Sequence, residues 1–389
     1  MAKATINPFT VEECTHLLSQ LVSVDTSQPL GNEAMLVDMI ERRYQNKAVD
    51  IIRLDHQPGR ASLIIKLPGK TDDDALALIG HLDTVPIGDP DAWDSPPLKP
   101  IVIDGTLRGR GAADMKGGVA AMLLTLDHLL QKEVSLNQSV LFCFTADEEK
   151  NGIGAVALRE SNLLKDVSAM IVCEPTNNGI GICEKGAFWV RVSANGVSCH
   201  ASRPELGANA LDALLDCVAR IRHALDLSTV HPYLGTNTIS LTQLKGGFAT
   251  NILPAYAELE LDIRTLPGVS HQVLEDKINE ICRDIEHEMP KIVMKSEIIN
   301  NRPALQTDEQ DPLVRLVEQS ANQLGYNLEK RGLFFYTDAS QLIPDLGIPF
   351  IILGPGDDRQ AHTVNEQIQI ASIGHYAHLY ACLIEKHNA

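Results

Sequence analysis

The chain has 389 residues, of which 44% are hydrophobic and 22% are charged. This length predicts two domains of roughly 100 to 250 residues each, and the apolar content is enough to build folded cores, which excludes a disordered protein. The net charge of −18 is spread along the sequence without a block of Lys and Arg residues, which argues against nucleic-acid and membrane partners but permits a small carboxylate-bearing substrate.

Two further features of the composition concern the cellular compartment. No apolar stretch has the length of a signal-peptide core or of a membrane span. The eight cysteines include no C-x-x-C pair and lie mostly within apolar runs, so we interpret them as reduced and buried. We therefore expect a cytoplasmic protein without structural disulfides.

Four short apolar runs bounded by turn residues predict the strands of a first domain. They are residues 75–79, 140–144, 169–173 and 349–353, and each is apolar at every position, as is typical of strands covered on both faces of a parallel sheet. Residues 118–131 are rich in Ala, Met and Leu and predict a helix. We expect an α/β domain, with a mostly parallel sheet and helices on both faces.

The pattern changes between residues 185 and 300. Residues 256–263 (YAELELDI) alternate strictly between polar and apolar, which is typical of a sheet with one wet face. The predicted order is strand 188–194, helix 206–225, strand 238–244, strand 255–264, helix 271–288 and strand 292–299, which favours a ferredoxin-like α+β sandwich. The first pattern then resumes, so we expect residues 185–300 to be inserted in a domain formed by residues 1–184 and 301–389.

Polar residues with metal-binding or acid–base chemistry follow each apolar run of the first domain. They are His81 and Asp83 after residues 75–79, Glu148 and Glu149 after 140–144, Glu174 after 169–173, His362 beyond 349–353, and Asp114 in the glycine-rich turn at 109–118. Ligands of open α/β sheets bind at the carboxyl ends of the strands. The sequence therefore predicts a site at that edge.

Two imidazoles and three carboxylates suit two divalent ions, with zinc as the first choice and cobalt or manganese as alternatives. Each ion would take one His, one terminal Glu and one oxygen of a shared carboxylate, for which Asp114 is the candidate. Paired ions lower the pKa of a shared water and polarise a carbonyl oxygen. Glu148 is then the predicted general base, and Asp83 is expected to accept a hydrogen bond from His81 and fix its tautomer.

These residues stand in longer motifs. The motifs are GHLDTVP (80–86), GRGAADMKGG (109–118), TADEE (145–149), CEPT (173–176), CHASRP (199–204), DIRTLPG (262–268), LGPG (353–356) and AHTVNE (361–366). Together they resemble, over nearly the whole chain, the co-catalytic metallopeptidase family that includes acetylornithine deacetylase, succinyl-diaminopimelate desuccinylase and bacterial glutamate carboxypeptidase.

The resemblance implies the same roles for the first-domain residues and adds roles in the second domain. The implied metal ligands are His81, Asp114, Glu149, Glu174 and His362, with Glu148 as general acid and base and Asp83 as the partner of His81. The inserted domain is implied to be a lid that also forms a homodimer. His200 would reach from one subunit to the oxyanion at the site of the other, and Arg264 would bind the substrate carboxylate with Asn251 nearby. A cis peptide bond is implied between Asp114 and Met115.

The substrate is less well defined by the motifs. Glu174 favours the deacylase and carboxypeptidase branch, and DIRTLPG and LGPG most resemble acetylornithine deacetylase of arginine biosynthesis. The segments PELGANAL and TDA instead resemble glutamate carboxypeptidase. We therefore expect a metal-dependent amide hydrolase acting on an N-acyl amino acid, with a carboxypeptidase, a dipeptidase or a succinyl-diaminopimelate desuccinylase as alternatives. A metal-binding regulatory or structural dimer without turnover is the alternative from another class.

Overall fold

The structure of the protein, a computed structural model, describes residues 7–388. The helices of these residues are α1 Val11–Val22, α2 Glu33–Tyr44, α3 Gly117–Gln131, α4 Ile153–Glu160, α5 Ala210–Ala224, α6 His271–Glu288, α7 Pro312–Leu324, α8 Ala339–Leu346 and α9 Ile370–His387. The strands are β1 Asp50–Gln57, β2 Arg60–Leu67, β3 Thr71–His81, β4 Ile101–Ile103, β5 Thr106–Arg108, β6 Gln138–Thr145, β7 Val167–Val172, β8 Gly179–Glu184, β9 Gly186–Asn195, β10 Thr238–Gly246, β11 Tyr256–Thr265, β12 Val293–Arg302, β13 Leu305–Gln306, β14 Glu329–Leu333, β15 Phe350–Ile352 and β16 Gln367–Gln369.

The chain divides into two compact units. The smaller unit comprises Glu184–Leu305 and Gly332–Tyr336, and the larger unit comprises the chain up to Cys183, Gln306–Arg331 and the chain from Thr337 onward. The sequence pattern placed the boundaries at 184/185 and 300/301 and gave no sign of the short segment 332–336. None of the helices within residues 7–388 combines the length and the hydropathy required to cross a lipid bilayer.

The large sheet of the larger unit is mixed. Its strands lie in the order β1-β2-β6-β3-β7-β15-β8-β13, and β14 also pairs with β8. The neighbours β6, β3, β7 and β15 are parallel, whereas the pairs β1/β2, β2/β6 and β15/β8 are antiparallel. The expectation of a mostly parallel sheet is therefore wrong outside the centre. The two-residue connection between β1 and β2 explains one departure, because a connection that short joins only antiparallel strands.

The four parallel strands form the buried middle of this unit. Residues 75–81 of β3 and 139–145 of β6 are all buried, so both faces of these strands are covered. Helix α3 contacts α1 and α9 and has nearly continuous burial, which explains its apolar composition. Gly118 allows this helix to begin close to the sheet, because a Cβ there would lie 2.1 Å from the Cys173 carbonyl oxygen. The glycine-rich turn and the strand ends are thereby brought together.

The smaller unit is a four-stranded antiparallel sheet with two helices. The sheet order is β10-β11-β9-β12, and α5 and α6 pack against each other and against the sheet. Apolar side chains from alternate positions of β9 and β11 form the core with these helices, including Val190, Leu261 and Ile285. The connectivity β9-α5-β10-β11-α6-β12 is that of a ferredoxin-like sandwich, the order of elements that the sequence pattern predicts.

Candidate metal centre

The carboxyl ends of the four parallel strands carry the predicted ligands. His81 is the last residue of β3, Glu149 follows the end of β6, Glu174 follows β7, and His362 follows β15 after a loop. Because these strands are neighbours and parallel, their ends meet at one edge of the sheet. Asp114 reaches the same edge from the turn before α3.

The structure brings the five predicted ligands together. Ligand atoms of His81, Asp114 and Glu149 lie within 4.8 Å of one another. The His81 Nε2 atom is 3.1 Å from Asp114 Oδ1 and 3.3 Å from Glu174 Oε1. The His362 Nε2 atom is 3.0 Å from Glu149 Oε2 and 3.3 Å from Asp114 Oδ2. Asp114 therefore lies between the two imidazoles, with one carboxylate oxygen near each.

The pKa values of the carboxyl groups reflect this crowding. Burial and the Asp114 charge raise the pKa of Glu174 to about 8 and also raise the pKa of Glu149. Burial alone would raise the pKa of Asp114 as well, but hydrogen bonds with His362 and His81 hold it well below its usual range. Hydrogen bonds to Asp114 and Glu149 raise the pKa of His362 to about 11. Such strongly shifted groups are typical of functional sites.

The donor set fits divalent cations. It offers two imidazole nitrogens and three carboxylates within hydrogen-bonding distance, the ligand types that zinc and similar ions take. With Glu148 counted, four acids stand beside two imidazoles, so the fully ionised acids and neutral imidazoles that a metal site requires would carry an excess of negative charge. Divalent cations would balance that charge. The residues therefore fit a two-metal site.

Glu148 is buried next to the predicted ligands and is not itself a predicted ligand. Its side chain is 7% exposed, and burial raises its pKa well above the usual value. His81 opposes this rise in pKa, and the carboxyl groups of Asp338 and Glu149 add to it, so all three lie close enough to act on Glu148. A carboxyl group with a raised pKa binds a proton more readily, as a group that must accept one during catalysis does.

Asp83 accepts the expected hydrogen bond from His81 through its main chain. His81 Nδ1 lies 3.0 Å from the Asp83 main-chain oxygen, whereas the Asp83 carboxylate oxygen Oδ1 is 3.7 Å away. The carboxylate instead accepts the main-chain N–H groups of Glu148, at 3.0 Å, and Glu149, at 3.2 Å. The hydrogen bond expected from His81 to Asp83 is therefore present at the Asp83 main-chain oxygen, while the Asp83 carboxylate binds the turn that follows β6.

Glu366 holds the Asp114 turn in place, a role that the sequence analysis did not assign. Its buried carboxylate accepts the main-chain N–H groups of Gly111 (2.9 Å), Ala113 (2.8 Å) and Asp114 (3.0 Å), and Arg110 donates to it at 2.8 Å. The peptide bond after Asp114 is cis, as the resemblance implied. Glu366 stands in the AHTVNE motif, which was the available signal, but nothing in the sequence shows which main chain it binds.

The remaining predicted site residues belong to the smaller unit. His200 is exposed and accepts from the Ser202 main chain at 3.1 Å, and the loop of His200 meets that of Asn251, whose oxygen accepts from Ala201 N at 3.0 Å. Arg264 lies on β11, is 27% exposed at its side chain and forms an ion pair with Asp262 at 2.8 Å. Their part in catalysis stays a prediction.

Comparison with known proteins adds independent information. Residues 77–386 match the model of a family described as peptidase family M20/M25/M40. A probable succinyl-diaminopimelate desuccinylase of Staphylococcus aureus (strain N315) is 28% identical over 393 residues, covering 93% of this chain and 94% of the relative.

Two solved structures show the same fold. The aminopeptidase PepT of Bacillus cereus ATCC 10987 is 22% identical with a TM-score of 0.81, over 98% of this chain and 99% of that one. The Bacillus subtilis YXEP protein, described as a dinuclear metal-binding peptidase, is 16% identical with a TM-score of 0.74, over 96% of this chain and 97% of that one. The likeness extends over both units of the chain.

Proposed function

The chain belongs to peptidase family M20/M25/M40 and is therefore a metal-dependent enzyme that hydrolyses amide bonds; within that class, we propose that it removes the acyl group from a carboxylate-bearing N-acyl amino acid. The observation that carries this proposal is the meeting of His81, Asp114 and Glu149 within 4.8 Å, beside the buried carboxyl group of Glu148. N-acetylornithine is the first candidate substrate, which would place the enzyme in arginine biosynthesis, because the DIRTLPG and LGPG motifs resemble acetylornithine deacetylase.

The second candidate is desuccinylation of succinyl-diaminopimelate. Support for it comes from the relative of that name, which aligns over nearly the full length of both chains. The chemistry of the metal centre would be the same, and only the pocket for the acyl group and the amino acid would differ. A carboxypeptidase or dipeptidase reaction would use the same residues. A regulatory dimer without turnover is disfavoured, because the proposed base Glu148 and all five proposed ligands are present.

The proposed ligands are His81, Asp114, Glu149, Glu174 and His362, with Asp114 shared between two ions, preferably zinc. When bound, two such ions would lower the pKa of a water molecule, so that it can act as the nucleophile, and would polarise the carbonyl oxygen of the scissile amide. The remaining chemistry belongs to the chain. The carboxylate of Glu148 takes a proton from the attacking water and returns it to the leaving nitrogen, so the amine departs neutral. Its burial keeps this proton away from bulk solvent.

The smaller unit is proposed to be a lid and a dimerisation domain. An exposed histidine such as His200 can donate to an oxyanion, and we propose that it does so at the site of the partner subunit in a homodimer. Two arginines flank Ala187 of β9 in register, Arg264 on β11 and Arg302 on β12. Arg302 is 4% exposed whereas the Arg264 side chain is 27% exposed, so Arg264 is the proposed contact for the substrate carboxylate, with Asn251 assisting.

The proposal is tested by the initial rate of amine release from N-acetylornithine, succinyl-diaminopimelate, an N-acylglutamate and a dipeptide. The apoprotein and the protein after addition of zinc or cobalt are compared on each substrate. Turnover restored by metal and strongest for N-acetylornithine supports the first candidate, and a preference for succinyl-diaminopimelate supports the second. Preferential cleavage of the dipeptide would contradict the deacylase proposal, and absence of turnover on the whole panel with two metals bound would contradict both candidates.

A further inference from the structure

Five buried polar side chains form a cluster that is hydrogen-bonded to the main chain of the Glu148–Glu149 turn. Each is at most 7% exposed, and only one of them, Asp83, was predicted from the sequence to act at the metal centre. The members of this positioning cluster are Gln28, Glu33, Arg60, Asp83 and Asp147. Three are acids and one is a guanidinium, so the cluster carries an excess of negative charge unless a carboxyl group is protonated.

Gln28 joins groups of opposite type through the two ends of its amide. Its Nε2 donates to Asp83 Oδ2 at 2.8 Å and to Asp147 Oδ1 at 2.9 Å, and its Oε1 accepts from Arg60 Nη2 at 2.7 Å. A carboxylate accepts hydrogen bonds and a guanidinium only donates them. The orientation of the amide is therefore fixed, and neither a purely donating nor a purely accepting side chain can replace it.

Arg60 anchors the other side of the cluster. Its Nη1 donates to Asp147 Oδ1 at 2.7 Å and to Glu33 Oε1 at 3.0 Å, and its Nη2 also donates to the Pro29 carbonyl oxygen at 2.8 Å. Glu33 Oε1 also accepts the main-chain N–H of Asp147 at 3.2 Å. Arg60 thus binds the side chain of Asp147, and Glu33, which is itself bound by Arg60, binds the main chain of Asp147.

Asp83 and Asp147 connect the cluster to the catalytic turn. Asp147 directly precedes Glu148 and has a left-handed backbone with φ of 66°. The two oxygens of Asp83 accept the N–H groups of Glu148 and Glu149, and one of these oxygens is also bound by Gln28. The position of the turn therefore depends on hydrogen bonds that begin at Gln28 and Arg60.

We propose that Gln28 and Arg60 are positioning residues, which fix Asp83 and Asp147 and through them aim the Glu148 carboxyl group and the Glu149 ligand. The assignment of those two glutamates rests on the proposed function. Stability alone is a poor explanation for the cluster, because burying several carboxylates around one guanidinium costs more than packing apolar side chains in the same space. The hydrogen bonds that Gln28 and Arg60 make to Asp83 and Asp147 do, however, fix the geometry of the groups attached to them.

The sharpest variant is Gln28→Glu, which keeps the shape and turns the donating end into an acceptor facing two carboxylates. We expect kcat to fall about 10- to 100-fold and zinc affinity to weaken by a similar factor, as when the groups that support metal ligands are changed. KM should stay within about twofold, because substrate contacts are unchanged. Gln319→Glu, the same change at an exposed position of α7, is the control and should match the parent in all three.

Arg60→Lys is the second variant, to be used also if Gln28→Glu does not fold. It keeps the charge but cannot bind Gln28 and Asp147 with two nitrogens at once, so a smaller loss in the same parameters is expected. Unchanged kcat and zinc affinity in a folded Gln28→Glu or Arg60→Lys protein would overturn the positioning role. The absorption spectrum of the cobalt-substituted variants is a readout that needs no turnover, and a shifted spectrum supports the role. If the variants shift this spectrum but the parent protein hydrolyses none of the tested substrates, the proposed function is refuted and the positioning role is not.

Discussion

In the larger unit, the residues proposed for metal binding and proton transfer are buried or hydrogen-bonded to neighbouring side and main chains. Of the residues proposed to contact the substrate in the smaller unit, His200 and Asn251 lie on exposed loops, and Arg264 lies on the inner strand β11 with a partly exposed side chain. Glu366 alone accepts four hydrogen bonds around the Asp114 turn. His200, by contrast, is exposed and bonded to its own loop. The residues proposed for metal binding are therefore placed by the fold of one unit, whereas our proposal for the substrate contacts also requires closure of the smaller unit and dimer formation.

The largest expected effect is at the metal centre itself. Glu148→Gln removes the proton acceptor but keeps the shape, so we expect kcat to fall about 10²- to 10⁴-fold, the usual contribution of a general base. Two zinc ions per chain should still bind, because Glu148 is not a proposed ligand. Steady-state kinetics and metal analysis check this, with the exposed Glu160→Gln as control; a variant that keeps the parent's kcat would remove Glu148 from the mechanism.

In the smaller unit, a comparable fall in kcat is expected from a change at His200, because our proposal has this histidine bind the oxyanion. We expect His200→Ala to lower kcat about 10²- to 10³-fold, as the loss of one oxyanion donor does, with zinc content unchanged.

Mixing His200→Ala with Glu148→Gln protein tests whether the histidine acts across the dimer. Subunit exchange should restore activity, because in a mixed dimer one site has both the base and the partner's histidine. The same mixture without exchange is the control. Mass spectrometry verifies that mixed dimers have formed. If these mixed dimers remain inactive, His200 does not act in the partner's site.

A smaller effect is expected from Glu366→Gln, which turns one accepting oxygen into a donor facing the N–H groups of the Asp114 turn. We expect zinc affinity to weaken about 10- to 100-fold, in line with other groups that orient metal ligands. Competition with a chelator measures the affinity. The exposed Glu385→Gln on α9 is the matched control, and equal zinc affinity in both variants would show that the turn is held without Glu366.

The smallest effect on zinc binding is expected from a substitution in the hydrophobic core of the smaller unit. Ile285→Val removes one methyl group from a fully buried position of α6 and should destabilise that unit by about 0.5–1.5 kcal/mol, while zinc content and affinity stay at the parent values. Val273→Ala trims an exposed side chain of the same helix and is the control. Denaturant unfolding followed by metal analysis makes the comparison, and loss of zinc in the folded Ile285→Val protein would show that the metal centre depends on this core.

The sequence predicts the candidate metal ligands better than the residues that hold those ligands in place. Runs that are apolar at every position mark buried strands, and polar residues just after them, such as His81 and Glu174, must lie at the sheet edge. The partners of these residues are far apart in sequence and obey no period. Gln28 lies before the first strand, and Glu366 follows an irregular loop, so only the folded chain shows that they bind Asp83 and the Asp114 turn.

The outer architecture was also hard to predict, for related reasons. Apolar runs show that a strand is covered but not which direction its neighbour takes, so the antiparallel flanks of the large sheet were missed. The segment 332–336 is too short for a pattern and is assigned to the smaller unit only by its contacts in the folded chain. The roles of His200 and Arg264 were inferred from motif resemblance, because exposed polar residues carry no periodic signal.

The central claim is that one edge of the large sheet holds two divalent ions, and it is tested most directly by a crystal structure of the zinc-loaded protein with anomalous data at the zinc edge. Our account predicts two peaks roughly 3.5–4 Å apart, one beside His81 and Glu174, the other beside His362 and Glu149, with Asp114 between them. A single peak, or peaks away from these residues in a zinc-saturated and active protein, would contradict it.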